Sequence, residues 1–172
     1  MQGYIEHSVT LVRQGPLPLR SGKVLLLSPD LLPLTPLGEM TQSDSVMKHL
    51  ALEGLNLEEA HYPAEARGPA LGKLLEAAAR AEVVLFTVYA RYRLPDATRE
   101  LGEALLKVNP QTVLVSLSSP YVLRDLPQAA GFLCSYNYTP LSLQALGRVI
   151  TGSLPARGRL PVSIPGLYPA GH

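Results

Sequence analysis

The chain has 172 residues, 47% of them hydrophobic, with 15 Lys and Arg against 14 Asp and Glu for a formal charge of +1. That length gives one domain with a substantial core, and the near-neutral balance supplies no field to attract nucleic acid or an anionic membrane. The apolar residues fall in short runs, none reaching the roughly 18 to 20 residues of a membrane span, so neither a nucleic-acid partner nor a membrane span is expected.

In chain order, residues 1–22 read as a lead-in segment. Met1 to Thr10 carries Glu6 and His7 and lacks a basic start followed by an apolar stretch, so no secretory leader is read there and the compartment stays open. A strand is expected over Lys23 to Ser28, then a turn-rich loop from Ser28 to Thr41 with Pro29, Pro33 and Pro36. The pattern then predicts a helix over Ser43 to Glu53, a strand over Leu55 to His61 and a helix over Gly68 to Ala81. Strands over Glu82 to Tyr89, Thr112 to Leu117 and Gly131 to Tyr136 alternate with helices over Asp96 to Val108, Pro120 to Leu126 and Pro140 to Thr151.

In the helix over Asp96 to Val108, Ala97, Leu101, Ala104, Leu105 and Val108 share one face, Asp96 is placed to cap the start, and Asn109-Pro110 stops it. In the last helix Thr139 is the expected cap, Pro140 the first helical residue, Gly152 the terminator, and Leu141, Ala145, Leu146, Val149 and Ile150 the buried stripe. Leu160 to Ile164 is a candidate edge strand in a second proline-rich stretch, and residues 166–172 form a tail.

Alternating strands and helices predict βαβ units and a mainly parallel sheet. Val83-Val84-Leu85-Phe86 and Val113-Leu114-Val115 are continuously apolar, as strands buried on both faces are. The expected fold class is α/β: a three-layer α/β/α sandwich with about five or six strands, flavodoxin-like in general architecture, over residues 23–165.

Ligands of open α/β sheets bind beyond the carboxyl ends of the strands. The loops there carry Tyr89, Arg91, Tyr92, Arg93, Asn137 and Tyr138, whose ring faces, guanidinium groups and amide suit a sugar-binding rim or a docking surface. The competing reading is a polar loop edge packed by partly buried tyrosines.

No residue is assigned a catalytic role. Asp96, Arg99 and Glu100 sit in a first helical turn, where capping explains them, and Asp30 lacks the neighbouring acidic pair of a phosphoacceptor and reads as a turn residue. Ser119 before Pro120 reads as a helix cap, and Cys134, the one cysteine, as a core residue. His7, His49, His61 and His172 are scattered, so no metal site is expected. Gly152 to Gly158 follows a helix and matches no phosphate-binding loop, so no cofactor is expected.

Several segments together carry a family likeness: Val113 to Leu117 running into Ser119-Pro120-Tyr121, then Tyr136, the helix from Ser142 to Thr151, Gly152, and Gly158-Arg159-Leu160-Pro161-Val162-Ser163-Ile164. Ser8 to Leu19 looks like a segment leading out of a preceding domain. From about Ile5 to Pro165 the chain resembles the C-terminal domain of glycoside hydrolase family 3.

That resemblance implies an α/β sandwich packed against a (β/α)8 barrel, which holds the nucleophilic aspartate. In some members the acid/base is a glutamate on a long loop of the second domain; in β-N-acetylhexosaminidases it is a histidine paired with aspartate in the barrel motif Lys-His-Phe-Pro-Gly-His-Gly. This chain has neither feature, since Ala90 to Pro95 is short and contains no glutamate. The resemblance therefore implies the non-catalytic domain of a β-N-acetylhexosaminidase-like enzyme, with the barrel as partner and an N-acetylglucosamine-containing glycan as substrate. The alternative is a stand-alone glycan-binding or protein-interaction module; a nucleotide binder ranks behind both.

Overall fold

A computed structural model describes residues 8–33 and 38–172. Ile5, His7 and Pro36 lie outside the described residues. Among those described, the strands are β1 (Thr10–Arg13), β2 (Lys23–Pro29), β3 (Leu31–Pro33), β4 (Met40–Gln42), β5 (Asn56–Tyr62), β6 (Val83–Val88), β7 (Thr112–Ser116) and β8 (Gly131–Cys134). The helices are α1 (Ser43–Met47), α2 (Pro69–Arg80), α3 (Asp96–Val108) and α4 (Pro140–Thr151), with 3-10 segments at Lys48–Leu50 and Pro120–Asp125.

Six strands form one sheet in the order β1-β8-β7-β6-β2-β5. All pairings are parallel except that of β1 with β8. β3 and β4 form a separate antiparallel pair. Successive strand residues point to opposite faces, so Leu25, Leu27, Val84, Phe86, Leu114 and Phe132 pack against α2, α3 and the Pro120–Asp125 turn. Val24, Leu26, Leu85, Val113, Val115 and Leu133 pack against α1, its 3-10 extension and α4. The result is the expected three-layer α/β/α sandwich. Both faces of the central strands are covered, which is why those strands are apolar without interruption.

The five expected strands form within about two residues of the expected bounds, a margin ordinary for element ends. Several local expectations change. The segment expected as one helix from Ser43 to Glu53 is five α residues followed by a 3-10 turn that ends at Ala51, in left-handed conformation at φ 50°. The turn lies so close to α4 that a Cβ on Gly147 would collide with the Leu50 carbonyl oxygen. Pro120–Asp125 is likewise a 3-10 helix, and its expected cap is present: Ser119 Oγ accepts from the Tyr121 N–H at 3.2 Å.

At α3 the cap position belongs to Pro95, and Asp96 is the first helical residue with no capping bond. Its carboxylate instead lies 3.7 Å from the Arg99 guanidinium. The buried face of α3 is Thr98, Leu101, Gly102 and Leu105, leaving Val108 exposed. Gly102 faces inward, where a Cβ would stand 2.4 Å from Leu126 Cδ1 and that side chain would have to shift. α4 has its expected cap, Thr139 Oγ1 accepting from the Ser142 N–H at 3.4 Å, and ends at Gly152 with φ 83°. Leu141 is exposed while Leu143 and Gly147 are buried.

β1 lies within the segment read as a lead-in and occupies the flank beside β8. Leu160 to Ile164 forms no strand; Ile164 makes one bridge to Tyr168. This segment and the tail fold beside β1, where the Gly158 N–H donates to the Val9 carbonyl at 3.0 Å and His172 Nε2 lies 3.0 Å from the Val12 carbonyl.

Candidate functional site

The connection from β2 to β5 runs through α1 on one face of the sheet, and the connections from β5 to β6 and from β6 to β7 run through α2 and α3 on the other. β2 and β6 are neighbours whose following chains leave in opposite directions. Such a divergence leaves a crevice outside the carboxyl ends of the strands. Two open clefts occur there, and Tyr89, the residue after β6, lines both.

The first cleft has a volume of about 580 Å³. One wall is Thr41, Ser45, Val46 and His49, from β4, α1 and the 3-10 turn; the other is Tyr89, Ser118, Tyr136, Asn137, Tyr138 and Thr139. Among the described residues no carboxylate lines it. Tyr89 and Tyr138 meet edge to face with centroids 5.4 Å apart at 82°, a favoured aromatic geometry. Burial, with the Tyr89 phenol adding to it, pushes the Tyr138 hydroxyl up, so it remains a neutral donor and acceptor.

The loop after β8 is held by bonds within itself and to β7 and β1. Ser135 Oγ donates to the Asn137 carbonyl at 2.6 Å, and Asn137 Oδ1 accepts from the Thr139 N–H at 3.3 Å. Asn137 thereby commits its oxygen, and its amide nitrogen has no protein partner among the described residues. Tyr136 takes a left-handed φ of 62°, its hydroxyl lying 2.9 Å from Thr10 Oγ1. Burial pushes that phenol up to about 12. The cleft thus offers three tyrosines, further hydroxyls and an amide, with the His49 imidazole on its other wall.

The second cleft, about 390 Å³, is walled by Pro29, Leu31, Pro33 and Met40 on one side and Tyr62, Pro63, Tyr89 and Pro95 on the other. The Tyr62 hydroxyl donates to the Thr87 carbonyl at 2.7 Å, and burial raises its pKa.

Of the six residues read as one rim, Tyr89, Asn137 and Tyr138 come together in the first cleft, while Arg91, Tyr92 and Arg93 line neither cleft. Those three stand on a loop tied to the Pro120–Asp125 helix. Arg124 Nη2 donates to the Tyr92 carbonyl at 3.3 Å, and Asp125 Oδ2 accepts from the Leu94 N–H at 2.8 Å. Arg93 lies 3.7 Å from the buried Asp125 carboxylate. Tyr92 remains 69% exposed.

Cys134 is fully buried, and burial pushes its thiol up to about 12, which suits a core residue. One cluster has no counterpart in the sequence reading: Ser28, Ser43 and His61 meet beneath the β3–β4 pair, with His61 Nδ1 2.7 Å from Ser43 Oγ and 3.0 Å from Ser28 Oγ.

No family model and no curated protein matches the chain. Solved structures do. A glycoside hydrolase family 3 β-N-acetylglucosaminidase from a Paenibacillus species superposes with a TM-score of 0.75 at 21% identity, over 91% of this chain and 30% of that one. A fungal multi-domain family 3 β-N-acetylglucosaminidase gives 0.75 at 23% identity, over 98% of this chain and 19% of that one. A Bifidobacterium adolescentis family 3 β-glucosidase gives 0.67 at 19%, over 88% and 26%. The chain spans less than a third of the length of each. What it shares with them is the fold of one part: a three-layer α/β/α sandwich that recurs inside much longer glycosidases.

Proposed function

We propose that this chain is the C-terminal, non-catalytic α/β domain of a family 3 glycoside hydrolase of the β-N-acetylhexosaminidase type. The observation that carries the reading is the superposition over nearly the whole chain on a fraction of each glycosidase. In this reading a barrel partner performs retaining hydrolysis of N-acetylglucosamine-containing glycans through a covalent glycosyl intermediate. Support for the hexosaminidase type comes from the Ala90 to Pro95 loop, which is short, tied to its neighbouring helix and without a carboxylate.

The first cleft is the part of this domain best suited to a neutral sugar. Tyr89 and Tyr138 offer ring surface, and Asn137 and the surrounding hydroxyls offer donors and acceptors. The purified chain is expected to release no product from an aryl N-acetylglucosaminide; robust turnover would contradict the proposal. The coding sequence ahead of Met1 separates it from a self-standing glycan-binding module. An in-frame barrel supports the domain reading, and a genuine start codon at Met1 supports the module.

A further inference from the structure

His61 ends one residue before the close of β5, with its Cα in register with that of Ser28 on β2. Its Nδ1, Ser43 Oγ and Ser28 Oγ form a triangle with sides of 2.7, 3.0 and 3.2 Å. Both serines are buried, at 1% and 0% exposure for Ser28 and Ser43. Each hydroxyl has one hydrogen to give. The three groups lie within hydrogen-bond distance of one another, and which of them donates follows the imidazole tautomer. The ring itself faces a separate cleft of about 430 Å³ lined by Asp30, Leu31, Gln42 and Asp44.

The triangle fastens something beyond itself. Ser43 is the first residue of α1, and the residues that follow, Ser45, Val46 and His49, form the wall of the first cleft opposite the tyrosines. The adjoining β3–β4 pair supplies Leu31, Pro33 and Met40 to the second cleft. This unit therefore serves both clefts. Among the described residues its polar ties to the main sheet are the Asp30 N–H to the Tyr62 carbonyl at 2.8 Å, the Ser43 N–H to the Asp30 carbonyl at 3.1 Å, and the triangle.

We propose that His61 is a positioning residue for sugar binding: through Ser43 it fixes the α1 wall of the first cleft, which it does not line. The inference rests on the sugar reading of that cleft. His61→Asn keeps a polar partner near the Nδ1 position, whereas His61→Leu removes the 2.7 Å contact that ties Ser43 to β5 and leaves its hydroxyl only Ser28 Oγ at 3.2 Å. With chitotriose as the probe on the whole chain, His61→Leu is expected to weaken binding about tenfold and His61→Asn to stay within about twofold of the unaltered chain. Should His61→Leu not fold, Ser43→Ala removes the same bond from the other side and carries the same expectation.

The amide signals of Ser45, Val46 and His49 should move in His61→Leu and stay in place in His61→Asn. Unchanged chitotriose affinity or unmoved wall signals in His61→Leu would overturn the positioning role. Absence of chitotriose binding by the unaltered chain would overturn the sugar reading alone, and the wall signals would then decide the role of His61.

Discussion

Two loops at the same edge of the sheet, residues 89–95 after β6 and 135–139 after β8, carry the same kinds of side chain and use them differently. The second is held by bonds within itself, Ser135 to Asn137 and Thr139 to Asn137, and by the Ser135 N–H on the Ser116 carbonyl and Tyr136 on Thr10, and Tyr138 packs against Tyr89 as part of a cleft wall. The first is held from outside by Arg124 and Asp125 of the neighbouring 3-10 helix, and Tyr92 projects largely exposed. Residue type alone does not decide what a loop tyrosine does. Tyr89 and Tyr138 line a cavity, while Tyr92, three residues after Tyr89 on the same loop, is left on the surface.

That contrast can be broken from either side. The largest effect is expected at Gly147, where an added Cβ collides with the Leu50 carbonyl and pushes away the 3-10 turn that brings His49 to the first cleft. Gly147→Ala should cost about 3 kcal/mol, measured by denaturant unfolding, and should weaken chitotriose binding with it. Asp125→Ala strips the buried acceptor from the Leu94 N–H and should cost about 2 kcal/mol. It should leave chitotriose affinity unchanged, because Arg91 to Leu94, the part of the loop it frees, do not line the first cleft.

Tyr138→Ala removes the edge-to-face pair and should lower stability by about 1 kcal/mol, with a clear loss of chitotriose affinity by calorimetry. Tyr92→Ala should fall within about 0.5 kcal/mol of the unaltered chain, and its affinity should match. Equal losses of affinity from Tyr92→Ala and Tyr138→Ala would restore a single six-residue rim and end the distinction.

The layers of the fold are legible in the sequence for a physical reason. Val83 to Phe86 and Val113 to Val115 are buried on both sides, so their apolar runs can be read without knowing their neighbours. β1 is a four-residue flank strand with alternating burial, followed at once by Gln14-Gly15-Pro16, and such a strand gives a weak signal. β3 and β4, three residues each with Pro33 in one, give less. Val108 fits the periodic stripe of α3, but it is the last residue of the helix and stands 40% exposed.

At the candidate site, the placing of Tyr89, Asn137 and Tyr138 along one cleft was legible because each follows a strand of the parallel sheet at its carboxyl end. The Ser28, Ser43 and His61 triangle was not. Its members come from a strand end, a helix start and another strand, and only the register of β2 on β5 and the return of α1 bring them together. The signal within reach was the pairing of Ser28 with His61 at the same level of adjacent strands.

The most direct test is a chitotriose titration of the isolated chain followed amide by amide, with the same sample checked for released sugar. Shifts at Ser45, Tyr89, Asn137 and Tyr138 with the trisaccharide left intact are the expected result. Release of N-acetylglucosamine by this chain alone, or shifts confined to Arg91, Tyr92 and Arg93, would contradict a non-catalytic domain that holds sugar in its first cleft.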